Sequence, residues 1–267
     1  MNEATITPEN SISAVMPPAD PELEALMKAG VHLGHAKTKD HPSMKKYIFG
    51  VRNTISVLDL VRTKEALERA ESFLKEVAAK GGLVLLVGTR PAARKAIIEA
   101  AERTGMPYFT ERWIGGTLTN FKVIGKRVEY MEQLEREKAS GELEKYTKKE
   151  RMNKEEELVR LRRLFDGLRA LKRLPEAVFI VDTIQDDTAV REARRMKIPI
   201  AALCDSNANA ELIDYPIPSN DDALPAVRYM VGRIGQAIDT GRHLPGQGER
   251  ENSESTEKKE DDIRTTN

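Results

Sequence analysis

The chain has 267 residues, which is long enough for one large domain with a substantial core. Its 43 Lys and Arg residues balance its 43 Asp and Glu residues, so the zero net charge argues against a polyanionic partner unless the charges are unevenly placed. The single cysteine, Cys204, excludes an internal disulfide. No apolar run approaches the roughly 20 residues of a membrane span, and the first residues lack the features of a secretory signal. The composition therefore predicts a cytoplasmic protein with no membrane partner.

The charges are unevenly placed along the chain. Residues 1–22 contain four acids and no Lys or Arg, and residues 249–267 contain seven acids against four bases. The residues between these two segments therefore carry a net charge of +7. Both ends mix polar residues without periodicity, which predicts a disordered acidic tail over residues 1–22 and a second disordered tail over residues 243–267.

Residues 27–64 give the strongest basic signal. They contain eight Lys or Arg residues against only Asp40 and Asp59, a local net charge of +6. The aromatic residues Tyr47 and Phe49 follow the lysines, and this combination suits phosphate binding with ring stacking on exposed bases. The alternative is a solvated loop without a ligand. We favour nucleic-acid contact because acids do not interleave with these bases.

A β-hairpin is predicted within this basic segment. The runs Tyr47–Val51 and Thr54–Leu58 are separated by Arg52 and Asn53, a spacing typical of two antiparallel strands joined by a tight turn. We expect the hairpin to lie outside a parallel core.

His32 and His35 are spaced so that they could share a metal ion, with His41 nearby. Asp40 is the only carboxylate close to them in the sequence, and their neighbouring glycines indicate close packing as readily as ligation. The sequence therefore predicts no metal and no other cofactor.

The central part of the chain predicts an α/β sheet domain made of residues 23–121 and 174–242. Apolar runs rich in Val and Ile predict buried parallel strands; they are Leu83–Val87, Ala177–Val181 and Ile200–Leu203. Longer helical patterns predict the crossover helices, which are Thr63–Ala79, Pro91–Arg103, Asp186–Met196 and Asp221–Thr240.

The turn from Val87 to Pro91 joins a predicted strand to a predicted helix, where backbone N–H groups can face a phosphate. Neither G-x-G-x-x-G nor G-x-x-x-x-G-K-[ST] is present, so dinucleotide or triphosphate binding does not follow. Arg90 and Arg94 could instead bind isolated phosphates, which RNA presents in number.

The stretch from Arg112 to Phe121 has the composition of a docking surface. It holds the only tryptophan, Trp113, next to Gly115 and Gly116, and it has no group for acid-base or nucleophilic chemistry. A lone tryptophan is more often part of a core, but two glycines allow close backbone approach to a partner. Thr117 is expected to cap the helix that follows.

Residues 122–173 predict a helical insertion. Apolar residues recur at intervals of three and four, from Ile124 to Leu134 and from Leu161 to Leu171, with an interruption at Ser140-Gly141. This pattern predicts two antiparallel helices that form an α-helical coiled-coil hairpin. Four acid-to-base pairs at i,i+4 support solvated helices; they are Glu132–Arg136, Glu144–Lys148, Glu150–Lys154 and Glu156–Arg160. The 16 bases and 11 acids of this insertion leave a net charge of +5.

Acids follow the last two predicted strands, at Asp182 and at Asp205. Such acids often serve enzymes, but no His, Lys or nucleophile lies beside them in the sequence. A structural role in capping helices and holding loops is favoured.

Several motifs in order resemble the bacterial form of the small-subunit ribosomal protein two family. They are Met27–His35, Arg112–Phe121, Phe179–Thr183, Cys204–Asn207 and Ile213–Ala223. The resemblance runs from about residue 23 to residue 240. It implies a flavodoxin-like parallel sheet with helices on both faces and a projecting coiled-coil insertion.

The resemblance also implies a structural, non-enzymatic protein of the small ribosomal subunit. Such a protein binds small-subunit rRNA between head and body, contacts neighbouring ribosomal proteins and helps to recruit ribosomal protein one. The residues expected to contact RNA are Lys37, Lys39, Lys45, Lys46, Arg52, Arg90, Arg94 and Arg112, with Trp113 and Phe121 packing or stacking nearby. Two alternatives stay open. One is an enzyme that binds a phosphosugar or nucleotide and uses the Gly88 turn with Asp182 or Asp205, and the other is a coiled-coil scaffold that binds only protein.

Overall fold

The computed structural model describes residues 20–243, so both predicted tails lie largely outside the described residues. The helices are α1 (Pro21–Lys28), α2 (Leu60–Ala79), α3 (Pro91–Thr104), α4 (Phe121–Ala139), α5 (Lys148–Phe165), α6 (Asp187–Arg195) and α7 (Leu224–Arg242). The strands are β1 (Leu33–Ala36), β2 (Ile48–Arg52), β3 (Ile55–Leu58), β4 (Val84–Val87), β5 (Tyr108–Phe109), β6 (Ala177–Ile180), β7 (Ile200–Cys204) and β8 (Tyr215–Pro218).

The main sheet is parallel and has the strand order β5-β4-β6-β7-β8. Counted along the chain, this is the 2-1-3-4-5 order of flavodoxin-like folds. The three strands predicted from apolar runs are present, and the flavodoxin-like fold is confirmed. β5 and β8 were not predicted; β5 has two residues, and β8 contains two prolines and lies at the edge of the sheet.

Alternate residues of the central strands enter two cores, one on each face of the sheet. Leu85 and Val87 belong to one core, whereas Val84 and Leu86 belong to the other. The second core is covered by α2, α3 and α7, and α7 packs on both of the other helices. The first core is covered by α6 and by the base of the pair formed by α4 and α5. The sheet is therefore buried on both faces, as parallel sheets require.

The N-terminal boundary differs from the prediction. Asp20 caps α1, since its side chain accepts a hydrogen bond from the backbone N–H of Glu22 at 3.0 Å. Asp20 and Glu22 also pair with Lys64 on α2, at 2.7 and 3.1 Å. These two acids were assigned to the tail, but they belong to the folded domain.

A small antiparallel sheet with the order β1-β3-β2 lies beside the main sheet. The predicted hairpin is present as β2 and β3. Its turn lies at Asn53 and Thr54, one residue later than predicted, and both have positive φ, 47° and 67°. Two consecutive positive φ angles are typical of a type I′ turn, which matches the twist of paired strands. β1, which contains Gly34 and His35, is an additional strand that the sequence did not indicate.

The insertion forms a helical hairpin of α4 and α5, broken at Ser140 and at Gly141, which has φ 77°. A capping box begins α5, in which the Thr147 side chain accepts from the Glu150 N–H and Glu150 accepts from the Thr147 N–H. The buried seam of α4 contains the four predicted residues, Ile124, Val128, Met131 and Leu134. On the return side α5 ends at Phe165, so Leu168 and Leu171 lie beyond it. Coiled-coil geometry stays a prediction.

The ion pairs of the hairpin differ from those expected. Within residues 20–243, none of the four predicted i,i+4 pairs is formed; the charges pair across the two helices and onto the segment that follows. Glu137 binds Lys154 at 2.9 Å, and Glu135 binds Arg169 at 2.7 Å. The Arg169 hydrogen bond holds the pKa of Glu135 down at about 2.

Among the helices of the described range, none is both long enough and apolar enough to cross a bilayer.

Candidate nucleic-acid interface

The eight cations of residues 27–64 divide into paired and unpaired groups. Lys28 binds Glu24 at 2.6 Å, Arg62 binds the α2 N-cap residue Asp59 at 3.5 Å, and the half-buried Lys64 binds Asp20. The other five cations are exposed and form no ion pair within residues 20–243. We call these five the basic surface; they are Lys37, Lys39, Lys45, Lys46 and Arg52.

Backbone contacts bring the basic surface together. The Lys37 N–H donates to the Thr54 carbonyl at 2.9 Å, which places Lys37 beside the hairpin turn that follows Arg52. Lys45 and Lys46 belong to a 3₁₀ turn, Pro42–Tyr47, that leads directly into β2. Met44 and Tyr47 of this turn are buried, so the lysines between them are fixed at the surface of the core.

The loop after β7 anchors the small sheet to the main sheet. The Ser206 hydroxyl accepts from the His35 N–H at 3.0 Å, and the Ser206 carbonyl accepts from the His41 N–H at 2.8 Å. A side chain at Gly34 would lie 2.9 Å from the Ser56 carbonyl and 3.1 Å from Asp205, so only glycine fits there without displacement. Ser206, in the motif from Cys204 to Asn207, therefore holds the small sheet and its basic surface against the main sheet.

Arg90 and Arg94, expected to bind phosphate, are engaged within the protein. Arg90 pairs with the buried Asp182 and with Asp222, which lies just before α7. Arg94 pairs with Glu111 at 2.9 Å and donates to the Thr89 carbonyl at 3.3 Å. These contacts argue against both arginines as phosphate ligands.

Gly88 serves packing of α3 on the sheet. A Cβ atom there would lie 2.9 Å from the side chains of Ala93 and Ile97. This close approach accounts for the glycine without any bound phosphate. Asp182 holds the neighbouring turn, since its Oδ1 accepts from the N–H groups of Ile184 and Gln185 at 2.8 Å.

Several buried acids lie at the carboxyl ends of the main strands. Burial raises the pKa of Asp186 to about 6, although its hydrogen bonds from Thr89 oppose the shift. Burial raises the pKa of Asp221 to about 8, with further contributions from the charges of Asp182 and Asp205. Arg90 lowers the pKa of both Asp186 and Asp221 and so offsets part of this repulsion.

One group at this edge has the geometry of a metal site. Ligand atoms of His35, Asp205 and Asp221 lie within 4.8 Å of one another, and both aspartates are 1% exposed. His35 Nδ1 lies 2.9 Å from Asp205 Oδ2. Imidazole and carboxylate ligands could together hold a divalent ion. Sequence spacing showed only Asp40 near these histidines, because Asp205 and Asp221 come from loops 170 or more residues away. His32, which the sequence spacing paired with His35, is not part of the group. That no metal is bound stays a prediction.

The stretch from Arg112 to Phe121 is an internally anchored loop. Trp113 is 7% exposed and packs on Phe109, with ring centroids 5.1 Å apart. Arg112 is exposed and forms no ion pair within the described chain. Phe121 is half-buried and packs on the core where α4 begins. Exposed docking by Trp113 is therefore not supported, and only Arg112 joins the candidate interface.

Glu192 on α6 organises this loop, and no sequence pattern had pointed to it. Its carboxylate accepts from the indole N–H of Trp113 at 3.1 Å and from the backbone N–H groups of Gly116, Leu118 and Thr119 at 2.7, 3.0 and 3.2 Å. Burial raises the pKa of Glu192, but these donors outweigh burial and leave the pKa below its usual value.

Two other expectations for the loop change. Gly116 has φ 91°, which favours glycine, whereas Gly115 has open space around it. Thr117 does not cap α4; its hydroxyl donates to the Ile114 carbonyl at 2.6 Å.

The helical hairpin adds further exposed cations. Half of its bases form ion pairs with acids, such as Arg163 with Glu111 at 3.0 Å. The other half are exposed and unpaired within residues 20–243; they are Lys122, Lys126, Arg127, Arg136, Lys148, Lys149, Arg151 and Arg160.

Fold and surface together define a class of protein: a flavodoxin-like α/β domain that carries a helical insertion and an accessory sheet rich in unpaired cations. The model of the family described as ribosomal protein S2 matches residues 26–241. This chain belongs to that family, and the resemblance seen in the sequence motifs is confirmed.

Curated relatives agree with this assignment. The small ribosomal subunit protein uS2 of Thermus thermophilus is 43% identical over 221 residues, which are 83% of this chain and 86% of the relative. The protein of the same name from Chloroflexus aurantiacus is 44% identical over 82% of this chain and 92% of its own length. The one from Dictyoglomus thermophilum is 42% identical over 91% of this chain and 97% of its own length.

Proposed function

We propose that this protein is a structural, non-catalytic component of the small ribosomal subunit in the cytoplasm, where it binds small-subunit rRNA through the basic surface and Arg112. Family membership and the names of its relatives support the ribosomal role. The structure separates the cations by ion pairing. Those without a carboxylate partner in the described chain are available to bind phosphates.

The observation that carries the proposal is the contrast between paired and unpaired cations. Lys37, Lys39, Lys45, Lys46 and Arg52 have no ion-pair partner among residues 20–243, although the whole chain is electrically neutral. Binding of such cations to RNA releases condensed counterions, which supplies a favourable and salt-dependent free energy. A phosphate bound there would not need to displace an internal ion pair.

The enzyme alternative is weaker. Its candidate elements were the Gly88 turn and either Asp182 or Asp205. Gly88 is required for packing, Asp182 binds Arg90, and Asp205 pairs with His35 at 2.9 Å. The protein-only scaffold would leave the basic surface without a ligand. RNA binding gives the basic surface a ligand and requires no catalytic group.

Two finer parts of the proposal rest on the family resemblance alone. They are a position between the head and body of the subunit, and assistance in the recruitment of ribosomal protein one. Both can be measured on small subunits stripped of this protein and supplied with it again. Hydroxyl-radical cleavage of the rRNA would map the position, and co-sedimentation would report the amount of ribosomal protein one. Cleavage confined to one side of the subunit away from the head–body junction would contradict the first part, and unchanged ribosomal protein one would contradict the second.

The central test is charge reversal at Lys45 and Lys46. We expect the Lys45→Glu, Lys46→Glu variant to bind stripped small subunits more weakly, with a smaller dependence on salt. The matched control reverses two exposed cations of the helical layer, Lys95→Glu and Arg228→Glu. It changes the net charge by the same amount and is expected to bind nearly as the wild type does. Equal binding by the wild type and the Lys45, Lys46 variant at all salt concentrations would refute the assignment.

A further inference from the structure

The small sheet displays apolar side chains beside its cations. Leu33, Phe49, Val51 and Ile55 are 44%, 59%, 46% and 41% exposed. Single exposed apolar residues are ordinary, but several on one small sheet indicate an interaction surface. All four lie on the small sheet, which carries Arg52 and is flanked by the turns that hold the lysines of the basic surface.

Phe49 differs from the other aromatic residues. Within residues 20–243, the exposed phenyl and phenol rings are those of Phe49 and Tyr146. The Tyr146 ring is covered by the Lys154 ammonium group, 3.9 Å from its centroid. Tyr47, which the sequence offered equally for stacking, is 8% exposed, and Trp113 is 7% exposed. Phe49 is therefore the ring that the described chain leaves open for stacking.

Cations flank Phe49 along the chain on both sides. Lys46 precedes it by three residues and Arg52 follows it by three, so each Cα lies within about 11 Å of the Phe49 Cα. Flexible Lys and Arg side chains can reach across this distance. A base on the ring would thus have its neighbouring phosphates near Lys46 and Arg52. This arrangement of a ring between cations matches how proteins bind unpaired nucleotides.

We infer that Phe49 is a base-stacking residue, which holds one unpaired rRNA nucleotide between the phosphate contacts of Lys46 and Arg52. The inference rests on the proposed function and adds to it the kind of RNA bound: a loop or bulge with an accessible base. Continuous duplex would not serve, because its bases are stacked on one another. The charge of the surrounding surface favours RNA over an apolar protein segment as the occupant.

The experiment measures rebinding of full-length variants to stripped small subunits by co-sedimentation. Phe49→Ala removes the ring, Phe49→Leu keeps an apolar side chain without a ring, and Phe49→Tyr keeps the ring. Val51→Ala is the matched control, since Val51 is a similarly exposed residue of the same strand. The Lys45→Glu, Lys46→Glu variant reports on the proposed function in the same assay. Ribose acylation of the rRNA provides a second readout, which detects an unpaired nucleotide that becomes mobile.

Stacking predicts that Phe49→Ala and Phe49→Leu both weaken binding by about 10-fold, whereas Phe49→Tyr and Val51→Ala bind within about twofold of the wild type. In the complex with the Phe49→Ala variant, one unpaired nucleotide should become more reactive towards ribose acylation. If Leu binds as the wild type does while Ala binds weakly, an apolar protein neighbour covers Phe49 and the inference is wrong. If Ala binds normally while the lysine variant binds weakly, the stacking inference fails and the proposed function stands. Normal binding by the lysine variant would remove both.

Discussion

Glu192 and Trp113 are joined by a hydrogen bond of 3.1 Å between the indole N–H and a buried carboxylate, across 79 residues of sequence. The same carboxylate accepts from three backbone N–H groups of the loop that follows Trp113. The loop has little regular structure, so its backbone donors need such an acceptor where they are buried. The conformation that presents Arg112 at the surface therefore depends on one side chain of α6.

Removal of the Glu192 carboxylate should destabilise the protein. Glu192→Ala leaves the Trp113 indole and several backbone donors without an acceptor, and we expect a loss of about 3 kcal/mol in the free energy of unfolding. Glu192→Gln keeps one acceptor oxygen and should lose less. Urea unfolding followed by Trp113 fluorescence measures both changes. Arg191→Ala, which removes only a surface pair with Asp187, should change stability by less than about 1 kcal/mol. Equal effects of the Ala substitutions at 191 and 192 would contradict this role.

The buried Asp186 should make stability depend on pH in a defined direction. Its pKa is raised from 3.8 to about 6 in the folded protein, chiefly by burial. Because the folded state then holds the proton more tightly than the unfolded state, the contribution is complete below pH 3.8 and is lost as pH rises through about 6. The shift corresponds to roughly 3 kcal/mol.

Asp186→Asn should therefore gain stability relative to the wild type between pH 4 and pH 7, as measured by urea unfolding at several pH values. Asp187→Asn is the matched control, because Asp187 is adjacent to Asp186, partly exposed, and paired with Arg191 at the surface. Parallel pH profiles for the wild type and the Asp186→Asn variant would show that burial does not perturb this group.

Gly88 should tolerate no side chain, because of the 2.9 Å approach to Ala93 and Ile97. Gly88→Ala is expected to destabilise the protein by about 1–3 kcal/mol through overpacking. Gly125→Ala is the opposite case, since Gly125 lies in α4 with open space around its Cβ position. There alanine should stabilise by roughly 0.5–1 kcal/mol through its greater helix propensity. Thermal unfolding of the two variants tests the pair, and a neutral effect at Gly88 would reopen a phosphate-binding role for this turn.

Much of the fold was predictable because its signals are local. The continuous apolar runs of β4, β6 and β7 and the helical periodicities each identify one element within a short window. β8 escaped because its two prolines are typical of a non-strand, and they are tolerated here because the strand lies at the sheet edge. The hairpin turn was displaced by one residue because Asn53 and Thr54, rather than Arg52 and Asn53, take up the positive φ angles.

The candidate site was less predictable because the availability of a cation depends on acids far away in the sequence. Arg90 has the same local appearance as a phosphate ligand, yet its carboxylate partners come from Asp182 and Asp222. Trp113 was interpreted as a contact residue because nothing in the sequence marks Glu192, an acid on a helix 79 residues away, as its hydrogen-bond partner. Lys45 and Lys46 are exposed and form no ion pair within residues 20–243, as a segment with few acids allows, and their contact with RNA stays a prediction.

Arg90 and Lys45 should consequently behave in opposite ways when each is replaced by alanine. Arg90→Ala leaves the buried Asp182 without its cation, so we expect a loss of about 3 kcal/mol in the free energy of unfolding. Its binding to stripped small subunits should keep the wild-type slope of log K against log salt, provided that the measurement is made under conditions where the variant is folded. Lys45→Ala should leave stability nearly unchanged, because Lys45 is exposed, and should reduce that slope by about 0.7–0.9. Parallel measurements of urea unfolding and of salt-dependent binding for the two variants decide the matter. A reduced slope for Arg90→Ala would return this arginine to the RNA interface and would show that phosphate competes successfully with Asp182 and Asp222.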